Sequence, residues 1–210
     1  MSEEKRVWGI HTLDDNLFLK ENVIAIGWNE IGDLSKIAAD RDAFKKKYMN
    51  TYPDDKKMKV ATSAGKLYRF VHEVQIGDYI VFPSKVNREI NIGTVEGDYI
   101  YDPDAERYVQ QRKVKWLKHF PRTAFSQGAL YEVGSAMTFF SVKNYADEFL
   151  AALDKNFKGN VSADTADDET VAATADEIIE NTRDYILKEL SRNLKGYDLE
   201  EFVADLLSAM

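Results

Sequence analysis

The sequence predicts an α+β fold: a small, strongly curved or closed β-barrel with flanking helices over residues 1–158, then a linker and C-terminal helices. Three observations carry this. Short β-rich runs recur between residues 7 and 140, amphipathic helical stretches fall between them, and the composition changes abruptly after residue 158. Val7-Trp8-Gly9-Ile10 and Val23-Ile24-Ala25-Ile26 are the first strands, and Gly27 to Asp33 is a loop with two glycines. Asp33 or Ser35 is expected to cap a helix that carries Ile37, Phe44 and Tyr48 inward and stops before Pro53. A second helix is expected from about Met58 to Val74, with Val60, Leu67, Phe70, Val71 and Val74 on one face.

Ile76-Gly77-Asp78 turns into the strand Tyr79–Phe82, and Lys85–Glu89 is a polar loop. Ile90–Val95 alternates as a strand, continued by Tyr99–Tyr101, and Val109–Leu117 is the next, with Val114 and Trp116 on one face. Trp116 therefore reads as core. Thr138–Phe140 is a late strand, and a helix packs Tyr145, Phe149, Leu150, Leu153 and Phe157. Residues 159–173 are small, polar and acidic with no aromatic, and read as a flexible linker. Residues 174–210 read as helical: Thr174-Ala-Asp-Glu177 is a capping box, Gly196 is a stop, and Leu199, Phe202, Val203, Leu206, Leu207 and Met210 form an apolar stripe. The stripe runs to Met210 without a C-cap, so the sequence is expected to be cut inside a helix.

The net charge of −8 has a position. Residues 1–150 hold 22 Lys and Arg against 22 Asp and Glu; residues 151–210 hold 6 against 14 and so carry the whole imbalance. The first 150 residues are free to present a local basic face. No cysteine is present, which excludes disulfides, thiolate zinc sites and a Cys nucleophile. No apolar run nears the roughly 18 residues of a membrane span, and the N-terminus lacks a signal-peptide core, so a cytoplasmic location without membrane partners is expected. Three histidines offer no zinc pattern, and neither dinucleotide, Walker nor Gly-x-Ser-x-Gly signatures occur. Pro53-Asp54-Asp55-Lys56, and Asp98 or Asp102 with Gln111-x-Lys113, imitate parts of a nuclease motif without the converging carboxylates that metal chemistry needs.

The spaced segments Ile-Gly-Trp at 26–28, Gly-Asp at 77–78, Tyr-Ile-Val-Phe-Pro-Ser at 79–84, Ile-Gly-Thr-Val at 92–95 and Val-Lys-Trp-Leu at 114–117, with Pro121-Arg122, resemble the PUA-like superfamily, especially its EVE and YTH branches. Residues 194–210 resemble the opening helix of the Mrr-type restriction endonuclease catalytic domain. The first resemblance implies a reader that takes a flipped, modified base into an aromatic pocket. The second implies a nuclease beyond Met210, with Mg²⁺ belonging to that part; the 210 residues themselves imply no cofactor and no catalytic activity.

Trp28 is the leading pocket candidate, because it sits between Gly27 and a loop rather than in an alternating strand; the competing reading is a core tryptophan closing one barrel end. Trp8, with His11 and Thr12 after it, matches the segment that YTH domains hold against the base edge, although a loop histidine needs no such role. Asn29, Asp33 and Ser35 lie on the Trp28 loop, and Asp33 and Ser35 serve equally as N-caps. Phe82 and Ser84 align with the strand that lines the YTH pocket. Lys85, Arg88, Lys118 and Arg122 are the phosphate-contact candidates, against the ordinary reading of solvated surface.

The resulting expectation is the DNA-binding specificity module of a modification-dependent restriction endonuclease, acting on double-stranded DNA that carries a modified base. The alternatives are an RNA-binding PUA-like domain, a self-contained nuclease, and a protein-interaction domain whose C-terminal stripe holds a partner or a second copy.

Overall fold

The computed structural model describes residues 5–135 and 137–157, all in one unit, Met1–Val161. The expected linker at 159–173, the helical segment 174–210 and its nuclease-like end lie outside the described residues. The architecture is mixed α and β: a six-stranded sheet curls into an open half-barrel flanked by helices. In chain order the strands are β1 (Val7–Ile10), β2 (Val23–Ile26), β3 (Tyr79–Pro83), β4 (Glu89–Tyr101), β5 (Gln110–Pro121) and β6 (Phe139–Val142). Across the sheet they run β2-β5-β4-β3-β1-β6. Only β1 and β3 pair in parallel; the other pairs are antiparallel.

The curl comes from the long β4–β5 hairpin. Its register shifts between Ile92 and Gly93 and again between Val95 and Tyr99, and such irregularities bend and twist a ladder. A side chain at Gly93 would meet the Lys115 carbonyl at 2.8 Å and the Trp116 ring at 2.9 Å, so this bend needs a glycine.

The central strands are buried on both faces and divide their side chains between two cores. Trp8, Ile80, Phe82 and Phe139 point into the first core; Val7, Val81 and Phe140 point into the second. The first core is covered by α1 (Asp15–Glu21), α2 (Arg41–Thr51) and α3 (Lys57–Tyr68), which bring Phe18, Phe44, Tyr48 and Leu67. The second is covered by α4 (Gln127–Val133) and α5 (Ala146–Ala151), which bring Ala129, Val133 and Phe149.

Several boundaries differ from expectation. Asp33 caps only a 3-10 turn, Leu34–Lys36, and α2 starts later, where the Asp40 carboxylate accepts from the Asp42 and Ala43 amides. The stretch expected as one helix to Val74 is α3 plus a π-helical turn, Arg69–Glu73. Buried Arg112 on β5 satisfies that turn, donating to the carbonyls of Phe70 at 2.7 Å and Val71 at 2.8 Å. The amphipathic patterns of α1 and α4 are too short to read; both form because a side chain caps them, Asp14 for α1 and Ser126 for α4. The helix expected to carry Tyr145 to Phe157 ends at Ala151 as α5, and Leu153 and Phe157 reach the second core from the turns that follow. Trp116, expected as core, is half-buried and packs against the first core from outside it, with its indole N–H on the Phe18 carbonyl at 2.8 Å. Among the described residues no helix is long and apolar enough to cross a membrane.

Candidate functional site

β1 and β2 both end at one cavity of about 440 Å³. His11, Thr12 and Leu13 enter it from β1, and Gly27 and Trp28 from β2. Lys85 closes one side from the β3–β4 loop, Tyr108 another from the tip of the β4–β5 hairpin, and Gly134, Ser135 and Thr138 the rest from the segment before β6.

Trp28 is fixed in place by several contacts. Its backbone is left-handed, with φ of 70°. An aromatic residue pays about 1 kcal/mol or more for that conformation, so the surroundings must impose it. They do so from two sides. The indole N–H donates to the Tyr48 hydroxyl of α2 at 3.3 Å, and that hydroxyl donates to Asp55 at 2.9 Å. The next residue, Asn29, donates through its amide to the Arg107 carbonyl at 2.7 Å, which ties the Trp28 loop to the hairpin tip bearing Tyr108. Gln110 adds a second tie, from its amide to the Gly32 carbonyl at 2.9 Å. A Cβ built on Gly27 meets no atom within 4 Å, so the missing side chain is part of the open space.

The opposite wall is polar. His11 continues the β1–β6 ladder through its backbone N–H, which donates to the Thr138 carbonyl at 2.8 Å, and its ring stacks on Phe140. Burial, and then the charge of Lys85, hold the imidazole below its ordinary pKa, so it is the neutral form that faces the cavity. Its Nε2 has no partner among the described residues. The Lys85 loop stands on one carboxylate. Asp15 Oδ2 accepts from the Ser84 hydroxyl at 2.5 Å, the Lys85 amide at 2.9 Å and the Val86 amide at 3.1 Å. None of the described residues lining the cavity carries a carboxylate.

A family described as a domain of unknown function (DUF8426) matches residues 11–143, more than half of the chain. The chain belongs to this family. The match spans every residue that lines the cavity, from His11 to Thr138. No curated protein matches the chain.

In this DUF8426 domain the structure separates the sequence candidates. His11, Thr12, Trp28 and Lys85 converge on the cavity, and Asn29 braces it. Trp8 does not reach it. That side chain is 2% exposed, stacks on Phe139 and donates to Asp78 at 2.9 Å, which explains the Gly77-Asp78 pair as a core anchor. Phe82 is likewise buried, edge-on to Phe18, and Ser84 acts beneath the Lys85 loop rather than in the wall. Asp33 and Ser35 bond to each other around the 3-10 turn. Lys118 donates to the carbonyls of Ala152 and Asp154, so it staples the chain after α5 and is not among the residues that line the cavity. Arg122 stays close enough to act electrostatically on His11, whereas Arg88 sits in left-handed backbone on the exposed β3–β4 loop.

The nuclease-like fragments are also absorbed. Asp55 anchors Tyr48 and pairs with Lys59, and Asp102 and Gln111 hold the hairpin tip through the Asp104 amide and the Tyr108 carbonyl. Among the described residues no group of three or more His, Cys, Asp or Glu could hold a metal ion. The wall residues that sequence reasoning missed are Leu13, Gly27, Tyr108, Gly134, Ser135 and Thr138. Tyr108 left one signal: an aromatic ring at the end of a turn of Asp, Pro, Ala and Glu, where nothing local requires it.

Proposed function

We propose that this domain is a DNA-binding module that takes one extruded, modified base into the cavity beside Trp28. The carrying observation is that Trp28 is held in left-handed backbone, beside a cavity that also has Tyr108 and hydroxyl groups in its wall and Lys85 at one side. The volume of 440 Å³ falls in the range of roughly 300–1,000 Å³ usual for small-ligand pockets. Stacking on an aromatic face contributes roughly 1–3 kcal/mol per base, enough to offset much of the few kcal/mol that extrusion costs. Lys85 and Arg122 supply positive charge on the side where a phosphate backbone would pass.

The extension to a modification-dependent restriction endonuclease rests on the resemblance of residues 194–210 alone. In that reading cleavage and Mg²⁺ belong to a nuclease part, and the described residues select the site.

The test is a binding panel on the full chain. Duplexes with one central 5-methylcytosine, 5-hydroxymethylcytosine or N6-methyladenine are compared with the plain duplex. One modified duplex is expected to bind at least about tenfold tighter, a difference of about 1.4 kcal/mol. Trp28→Ala is expected to bring that preference to near unity while the far-UV spectrum stays unchanged. A Trp28→Ala protein that discriminates as well as the parent overturns the reading, and stronger competition by structured RNA than by modified DNA replaces it with an RNA reader.

A further inference from the structure

Resting on that reading, we infer that the cavity selects an uncharged ring and rejects a base that carries positive charge, with Lys85 as the residue that enforces the choice. Tryptophan by itself gives no such preference. An indole face attracts cations, and sites for methylated ammonium groups exploit this by stacking aromatics around the charge. What decides the preference is the rest of the wall. Lys85 lines the cavity, and its ammonium group is outside every ion pair found among the described residues. Arg122 adds positive potential from the side of His11. Among the described residues no carboxylate lines the wall to offset them.

The carboxylates close in sequence stay out of the described wall. Asp15 lies under the Lys85 loop, where the Ser84 hydroxyl and the Lys85 and Val86 amides hold it. Asp14 caps α1 by accepting from the Leu17 amide and faces the neighbouring cleft. A cationic ring entering beside Trp28 therefore meets the Lys85 ammonium with no carboxylate of the described wall to pair with. Like charges repel, and more strongly where water is excluded. A neutral ring pays nothing, and the phosphate that follows it is drawn to Lys85.

Methylated bases provide matched probes. 1-Methyladenine is cationic at neutral pH, and its isomer N6-methyladenine is neutral. 3-Methylcytosine is cationic, and its isomer 5-methylcytosine is neutral. The cationic isomers cannot form a normal base pair, so they are easier to extrude, and a bias against them must come from the pocket. Equilibrium binding of the full chain to duplexes carrying each base should favour the neutral isomer of the preferred base by at least about tenfold. Lys85→Glu, at an exposed loop position, should shrink that ratio at least about threefold, which separates charge from the altered methyl position.

Equal or tighter binding of the cationic isomer overturns the inference and leaves the base-pocket reading standing. A neutral preference that Lys85→Glu leaves unchanged also overturns it, because the selection then arises from shape. If no modified duplex exceeds the plain one, the base-pocket reading falls and this inference falls with it.

Discussion

Two concavities share Tyr108 as a wall and differ in almost everything else. The cavity beside Trp28 has about 440 Å³ and no carboxylate among the described residues that line it; the cleft on the other side has about 860 Å³ and takes Asp14, Glu21, Asp102 and Glu106 into its lining. Size would choose the second. For the proposed DNA ligand, chemistry favours the first, because four acids against the single Arg107 in the larger cleft repel a polyanion. The difference also has a structural origin. The smaller cavity is built where two buried strands, β1 and β2, release their chains, so its walls inherit the rigidity of the cores. The larger cleft is walled by the exposed end of α1 and by the hairpin tip, where solvated acids cost nothing.

The contrast can be tested from each side. Filling the smaller cavity should have the largest effect. Gly27→Leu adds a side chain where a Cβ meets no neighbour, so stability should hold while the preference for modified duplex drops at least about tenfold. Thermal melts beside the binding panel check both halves, and a variant that keeps its preference moves the binding site out of this cavity. A smaller effect is expected from the cleft. Glu106→Gln removes one exposed acid and should tighten plain and modified duplexes alike, by about two- to threefold at low salt and less as salt rises. A change in selectivity rather than in overall affinity would assign the cleft a part in recognition.

The smallest effect belongs to His11. Its folded pKa is lowered from 6.5 by burial and by Lys85, so the unfolded chain takes up a proton first as pH falls. Stability is complete above that ordinary value and declines as pH drops below it toward the folded value. His72 is lowered too, by burial and Arg112, and acts with the same sign. In His11→Gln the fall in melting temperature between about pH 7.5 and about pH 5.5 should be shallower than in the parent. An unchanged slope would mean that His11 takes up no less protonation on folding than in the open chain.

Much of the scaffold is legible in the residues. Val60 and Leu67 are buried as their helical spacing requires, and the strands at 7–10, 23–26 and 79–82 fall where β-branched and aromatic runs place them. Elements shorter than two turns escaped because they depend on one cap or on packing rather than on periodicity, as α1 and α4 show. The same limit applies to the site. Trp8 and Trp28 both follow short apolar runs or sit within them, and nothing local tells that one meets Asp78 in the core while the other is forced into left-handed backbone at a cavity.

By itself, the sequence determined the mixed α and β class, the places of the strands at 7–10, 23–26 and 79–82, and the neutrality of the first 150 residues. These follow from local composition and spacing. Only the tertiary structure decided which cations stay free and which side chains share a wall. Lys118 and Lys85 look alike in the sequence, yet one is bound to two carbonyls after α5 and the other lines the pocket. Tyr108 stands beside Trp28 only because the curled β4–β5 hairpin carries it there and the Asn29 amide holds the two loops together. Both outcomes depend on partners roughly 30 to 80 residues away in the chain, and no periodicity encodes such distances.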